Sequence, residues 1–169
     1  RVNGVGLLLD AAKLIKDSRI RILIWGDGDH ARELEERVKS ETISNVVFKG
    51  KVEKKYIPYI VSKGDLNIAH NTPSPLFRFG VSFNKIFEYM AGGKPVFSDF
   101  PCSYNPAVKE GAGTSVSEAN PQIIAEGIQE YIRMNSDEYA NYCYNARKAA
   151  KKYDFRVLTD KLIDIIEAI

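Results

Sequence analysis

Ser82, Asn84, Lys85 and Glu88 fall close together in residues 79–96, FGVSFNKIFEYMAGGKPV, in types and at spacings suited to holding an anion beside a polyol. The stretch divides into a glycine-containing turn, a short helix predicted over 84–91, and a second glycine turn that feeds a strand. Ser82 is placed to cap that helix, its hydroxyl accepting from the unpaired N–H groups of the first turn. Those N–H groups carry the positive end of the helix dipole and make a ready anion site. Lys85 adds a full charge in the same turn, and Glu88, about one turn beyond Asn84 and Lys85, faces the same rim. N–H donors and a cation for a phosphate, with a carboxylate nearby for sugar hydroxyls, would equip a nucleotide-sugar site. The plainer alternative is an amphipathic helix with Ile86, Phe87 and Met90 in the core and Lys85 and Glu88 solvated.

The elements that must position this stretch alternate. Val5, Leu8, Leu9, Ala12 and Ile15 recur at helical spacing over 4–16. The apolar run IRILIW at 20–25, broken only by Arg21, predicts a strand buried in a parallel sheet. Helices are predicted at 31–40 and 54–62, strands at 45–48, 65–69 and 95–98, and a fifth short strand at 114–116. Helices at 121–134, 136–153 and 157–169 close the chain. Such alternation predicts an α/β fold with a doubly wound, Rossmann-like parallel sheet. Ligands of such sheets sit at the carboxyl ends of the strands, here the loops 26–30, 50–53, 70–80 and 99–113. Arg1-Val2-Asn3-Gly4 leads straight into a helical pattern with no strand ahead of it, so a piece of a longer protein is expected.

Composition narrows the classes. At 169 residues the chain fits one domain, and 44% hydrophobic with 27% charged residues is ordinary for a soluble globular protein. A net charge of +2 gives no electrostatic case for nucleic acid. Arg147, Lys148, Lys151 and Lys152 share one face of a predicted helix, a solvated face or a weak attraction to anionic lipid. Cys102 and Cys143 give neither metal-ligand spacing nor a disulfide framework, which fits a reduced, cytoplasmic setting. No apolar run reaches the roughly 18 residues that a membrane span needs.

Three further motifs lie in those loops. Gly26-x-Gly28-x-x-Ala31 matches a dinucleotide fingerprint after a strand and before a helix. The acidic residue that completes it is missing, because the next strand ends in Phe48-Lys49-Gly50. His30 and His70 are the only histidines, with no partner acid in reach along the sequence. Each reads as a loop or capping residue, and His70, after a strand at the presumed cleft, is the better placed of the two to touch a ligand. Arg78, in the loop HNTPSPLFR, is either a phosphate partner or an exposed cation.

Gly80-x-Ser82-x-Asn84-Lys85-x-x-Glu88-Tyr89-Met90-Ala91-x-Gly93-Lys94-Pro95-Val96 resembles the donor-site signature of retaining GT-B glycosyltransferases of the family-four type. The resemblance is nearest to a bacterial subgroup that builds surface polysaccharides and transfers N-acetylated amino sugars such as N-acetylfucosamine. It implies that residues 1–169 are a C-terminal, donor-binding domain, with the first domain of the two-domain enzyme absent. The implied ligand is a nucleoside diphosphate sugar, UDP-linked, with no cofactor and no metal ion. The saccharide or lipid-linked acceptor would meet the absent domain, and the full-length enzyme could associate peripherally with membrane. Ser82, Asn84 and Lys85 would take the diphosphate, and Glu88 the ribose hydroxyls. Gly26, Gly28 and Gly80 would admit the donor close to the backbone. Asn45-Val46-Val47-Phe48-x-Gly50-x-Val52 is similar to the segment that holds the base, with Val52 packing on its face. The last helix, with Leu158, Leu162, Ile165, Ile166 and Ile169 on one stripe, resembles the segment that crosses back to the first domain. Many members carry two glutamates eight positions apart, but counting back from Glu88 reaches Gly80, so the partner for the sugar hydroxyls is left open. A dinucleotide-dependent oxidoreductase domain and a non-catalytic interaction module are the alternatives.

Overall fold

A computed structural model describes residues 4–168; the expectations placed on Arg1, Val2, Asn3 and Ile169 lie outside the described residues. The chain runs through α1 (Val5–Leu14), β1 (Ile22–Trp25), α2 (Ala31–Ser40), β2 (Val46–Gly50), α3 (Ile57–Lys63) and β3 (Asn67–Ala69). It continues through α4 (Asn84–Ala91), β4 (Val96–Ser98), α5 (Pro106–Lys109), β5 (Gly113–Ser115), α6 (Pro121–Arg133), α7 (Ser136–Lys152) and α8 (Phe155–Glu167). Short 3-10 turns at Lys54–Tyr56 and Pro75–Phe79 precede α3 and α4. The later helices start where the sequence supplies caps and prolines. Asn120 Oδ1 accepts from Gln122 N (2.8 Å) ahead of Pro121, Asn135 Oδ1 from Glu138 N (2.9 Å), and Asp154 Oδ1 from Arg156 N (2.9 Å).

All strand pairings are parallel, in two groups: β1 with β2, and β3–β4–β5. One apolar cluster lies under β1 and β2, where Leu8 and Leu9 of α1 meet Ile22, Val46, and Ile124 and Ile128 of α6. Phe97 of β4 joins this cluster and ties the two strand groups to one core. A second cluster surrounds α4, with Ile86 and Met90 against Ala69, Val96, Phe100 and the small Ala146 and Ala149 of α7.

The reading of 20–25 as a buried strand is corrected here. Only Ile22 of β1 is buried, and Leu23 and its register partner Val47 are 44% and 38% exposed. Helices α1 and α6 cover one face of this pair, and no described element covers Leu23 and Val47. The stripe on α8 is likewise open: Leu158, Leu162, Ile165 and Ile166 are all exposed. The basic face of α7 is solvated, with Lys152 paired to Glu110.

Charge joins α1 to α2. Arg37 Nη1 donates to the Gly6 carbonyl (3.1 Å), Nη2 to Asp10, and Nε to Glu41 (2.7 Å), which also accepts from Lys13 (2.8 Å). The Arg37 guanidinium, and then Lys13, hold the Glu41 carboxyl at about 2 against an ordinary 4.5. A carboxyl lowered on folding stabilises the protein above its unfolded value, and the contribution is lost as pH falls through the folded one. The urea midpoint is therefore expected to drop as pH falls from 4.5 toward about 2. Glu41→Gln should lower the midpoint near neutrality and flatten that acid loss. An unchanged acid slope in the variant would exclude Glu41 as a contributor.

Candidate functional site

The site is assembled at the carboxyl ends of β3 and β4. These strands pair in register to Ala69↔Ser98, so His70 and Asp99 are the next residues out, side by side as the strands end. Asp99 is buried, and its Oδ2 is hydrogen-bonded to His70 Nδ1 while its Oδ1 accepts from the Asn71 N–H (3.4 Å). Ser98 is buried too and accepts from Asn105 Nδ2 (2.8 Å), whose own Oδ1 caps α5 through Ala107 N (3.0 Å). The backbone on both sides of Asp99 is thereby fixed.

Lys85 reaches this corner from the first turn of α4. Its ammonium donates to the His70 carbonyl, and its stem is half-buried. Burial lowers the Lys85 pKa, and the Asp99 charge opposes that shift. The predicted cation thus belongs to a packed polar cluster with His70 and Asp99. Asn84 and Glu88 stay exposed on the same short helix.

Ser82 does not cap that helix. The N-cap is Phe83, in extended conformation with no side-chain cap bond, and Ser82 is exposed one position earlier. Phe83 holds the position because its ring packs at 5.7 Å from Phe77 and 5.9 Å from Phe100, an anchorage that a serine could not supply. Gly80 is required by the fold itself: its φ is +97°, and a Cβ there would lie 2.7 Å from Tyr104 Cβ. Tyr104 thus approaches Gly80 closely, and its carbonyl also accepts from Val81 N (2.8 Å).

Gly26, Gly28 and Val52 form a separate group at the carboxyl ends of β1 and β2. Gly26 N donates to the Gly50 carbonyl (2.9 Å) and Lys51 pairs with Asp27 (3.4 Å), so these two loops are held together. A Cβ on Gly26 or Gly28 would meet nothing within 4 Å. Gly26 has φ +142°, whereas neither a positive φ nor a neighbour requires glycine at position 28. Val52 is half-buried beside them.

A cleft of about 640 Å³ lies elsewhere: Ser74, Pro75, Phe77 and Arg78 face Cys102, Ser103 and Ser115–Ser117 across the ends of β4 and β5. Of the residues offered for a phosphate or the base, Arg78 lines it, whereas Ser82, Asn84, Lys85 and Val52 do not. The Lys85 corner is instead packed with polar contacts among Lys85, His70 and Asp99. Arg78 is exposed over the Phe79 ring (4.7 Å to the centroid). Burial raises the Cys102 thiol, which makes it a poor nucleophile. His30 is exposed and pairs only with Glu33 (3.1 Å). Asp99 was not legible as a site residue, although an acid directly after a buried strand and level with His70 is a signal that parallel register makes readable.

Residues 1–134 match the family described as Glycosyl transferases group 1, and the chain belongs to that family. No curated protein matches it. Among solved structures, HepE of Anabaena in complex with UDP is similar over 99% of this chain and 46% of its own, at 21% identity and a TM-score of 0.77. The glycosyltransferase WaaG, involved in lipopolysaccharide biosynthesis, is similar over 97% of this chain and 43% of its own (21% identity, TM-score 0.72). A glycosyltransferase of Rickettsia africae aligns over 96% and 43% (19% identity, TM-score 0.72). The fold is that of GT-B glycosyltransferases, and the chain spans less than half the length of these structures.

Proposed function

We propose that residues 1–169 are a donor-binding domain of a retaining glycosyltransferase of the family-four type. The donor is a nucleoside diphosphate sugar, UDP-linked, and the acceptor is a polysaccharide or lipid-linked saccharide met by a further domain. The observation that carries the reading is the Lys85 ammonium, held by the His70 carbonyl at the ends of two parallel strands, in the first turn of a helix. A diphosphate drawn to that turn meets the positive end of the helix dipole and a cation, which together stabilise the charge that develops as the sugar leaves. Exposed Glu88 supplies an acceptor for ribose hydroxyls, and the open backbone at Gly26 and Gly28 admits the nucleoside toward Val52. HepE was solved with UDP, with UDP and glucose, and with UDP-glucose, which supports a uridine donor. The bacterial subgroup that transfers N-acetylated amino sugars, a cytoplasmic location and peripheral membrane association belong to the same reading. Among the described residues no helix is long and apolar enough to cross a membrane.

A thermal-shift screen of UDP-, GDP- and dTDP-sugars tests the proposal. A ligand at one hundred times its Kd stabilises the folded state by about 2.7 kcal/mol, so UDP and one UDP-sugar are expected to raise the Tm by several degrees. No shift with any nucleotide would favour a fold that has lost its ligand.

A further inference from the structure

We propose that His70 contacts the donor directly, donating from Nε2 to an oxygen of the diphosphate, and that Asp99 is the positioning residue that aims the ring. The proposal rests on the donor-binding reading of the Lys85 corner and adds to it two residues that carry no assigned role.

The geometry separates the two ring nitrogens. Nδ1 is committed to Asp99, whose own place is set by burial, by the Asn71 N–H and by the strand register. A ring flip would break that bond, so Nε2 is the nitrogen left for other partners. Nε2 is shielded from solvent and is the one buried side-chain nitrogen or oxygen without a hydrogen-bond partner among the described residues. Leaving such an atom unpaired is costly, and a site that accepts the cost at one place calls for a reason. The bond to Asp99 accounts for Nδ1 and leaves Nε2 without a reason of its own.

Position and charge identify the partner. The His70 carbonyl already holds the Lys85 ammonium, so the ring and the cation share one corner. An anion that reaches Lys85 arrives beside His70 at the carboxyl edge of the sheet, where ligands of such folds bind. With Asp99 on Nδ1 and a phosphate oxygen on Nε2, the ring lies between two anions. That arrangement is satisfied by a proton on each nitrogen, each donated in a charge-assisted bond. Lys85, bonded to the His70 carbonyl, adds its charge at the same corner, and a diphosphate would bridge the ammonium and the ring. Asp99 thus has a function beyond anchoring two strands: it holds the imidazole in the orientation that a phosphate needs.

Two histidines make the test direct, since ring-nitrogen NMR resonances of His30 and His70 are told apart in the His70→Asn variant. UDP is the probe. Addition of UDP to the wild-type chain should move both His70 nitrogens to doubly protonated positions and leave His30 unchanged. His70→Asn keeps an amide for Asp99 but nothing at the Nε2 position, and should bind UDP about tenfold more weakly. His70→Gln places an amide nitrogen near Nε2 and should stay within about threefold of wild type. Asp99→Asn keeps the shape without the charge, and UDP should then fail to protonate the ring fully. If the wild-type chain binds UDP while its His70 resonances stay still, or if His70→Asn binds as tightly as wild type, the contact does not exist. Equal losses in His70→Asn and His70→Gln would reduce the ring to packing and overturn the assignment. Absence of UDP binding by the wild-type chain is a different result: it removes the donor reading itself, and the His70 contact with it.

Discussion

Replacing Gly113 with alanine is expected to destabilise the protein by about 3 kcal/mol or more, with the urea midpoint collapsing accordingly. Gly113 faces Val96 across the β4–β5 pairing, and a Cβ there would stand 1.9 Å from the Val96 carbonyl oxygen and 2.8 Å from its carbon. Neither neighbour is the free end of a side chain. Relief requires β5 to back away from β4, which breaks Val96 N→Ala112 O (3.0 Å) and Val116 N→Ser98 O (3.1 Å). Strand β4 is buried along its whole length, so it has no free side toward which to move. The damage should reach the site, because Ser98 leads directly into Asp99. Gly28→Ala is the control: its Cβ meets open space, and the midpoint should stay within about 0.5 kcal/mol of wild type. A Gly113→Ala protein with the wild-type midpoint would show that the β4–β5 packing is wrongly described.

The second large effect concerns Lys85 and ligand. Lys85→Met keeps the buried stem and removes the ammonium, and it should weaken UDP binding by roughly 1.5–3 kcal/mol, about tenfold or more. Glu88→Gln should weaken binding by a comparable amount through the ribose hydroxyls. The two differ in what they do to the fold. Glu88 is exposed, and its replacement should leave stability within about 0.5 kcal/mol. Lys85 is not the open-cleft side chain that its place in the sequence suggests: it is half-buried and donates to the His70 carbonyl. Its replacement leaves that carbonyl without its donor and should cost about 1 kcal/mol of stability as well. Calorimetric titration of UDP, with urea midpoints on the same preparations, separates the effects. Equal UDP affinity in wild type, Lys85→Met and Glu88→Gln would take this stretch out of the binding site and leave a solvated helix.

Much was readable before any coordinates, for reasons internal to short stretches of chain. The bounds of α2 and α4 follow from period and composition, and the starts of α6 and α7 agree with the ranges predicted from 121 and 136, while the last helix begins two residues before the predicted 157. The order of strands and helices predicted parallel pairing, and all pairings are parallel. The GxSxNK string resembles a GT-B glycosyltransferase signature, and the chain belongs to the Glycosyl transferases group 1 family. Capping, periodicity and motif spacing involve residues within a few positions of each other, so a linear reading reaches them.

What remained hidden depends on residues distant along the chain. Ser82 resembled a cap because nothing local shows Phe83 packing against Phe77 and Phe100. The open face of β1 and β2 depends on which helices cross beneath them, and an apolar run alone cannot report that. Gly80 reads as a place for a ligand, and nothing local shows that Tyr104 approaches it closely. Above all, His70 and Asp99 are separated by the whole of α4, and only the register of two parallel strands makes them neighbours. The sequence by itself determined most of the elements, with α5 the helix it missed, together with their order and the charge at Lys85. Tertiary structure decided which polar atoms share a corner, because hydrogen bonds act over about 3 Å and strand pairing sets that distance regardless of separation along the chain.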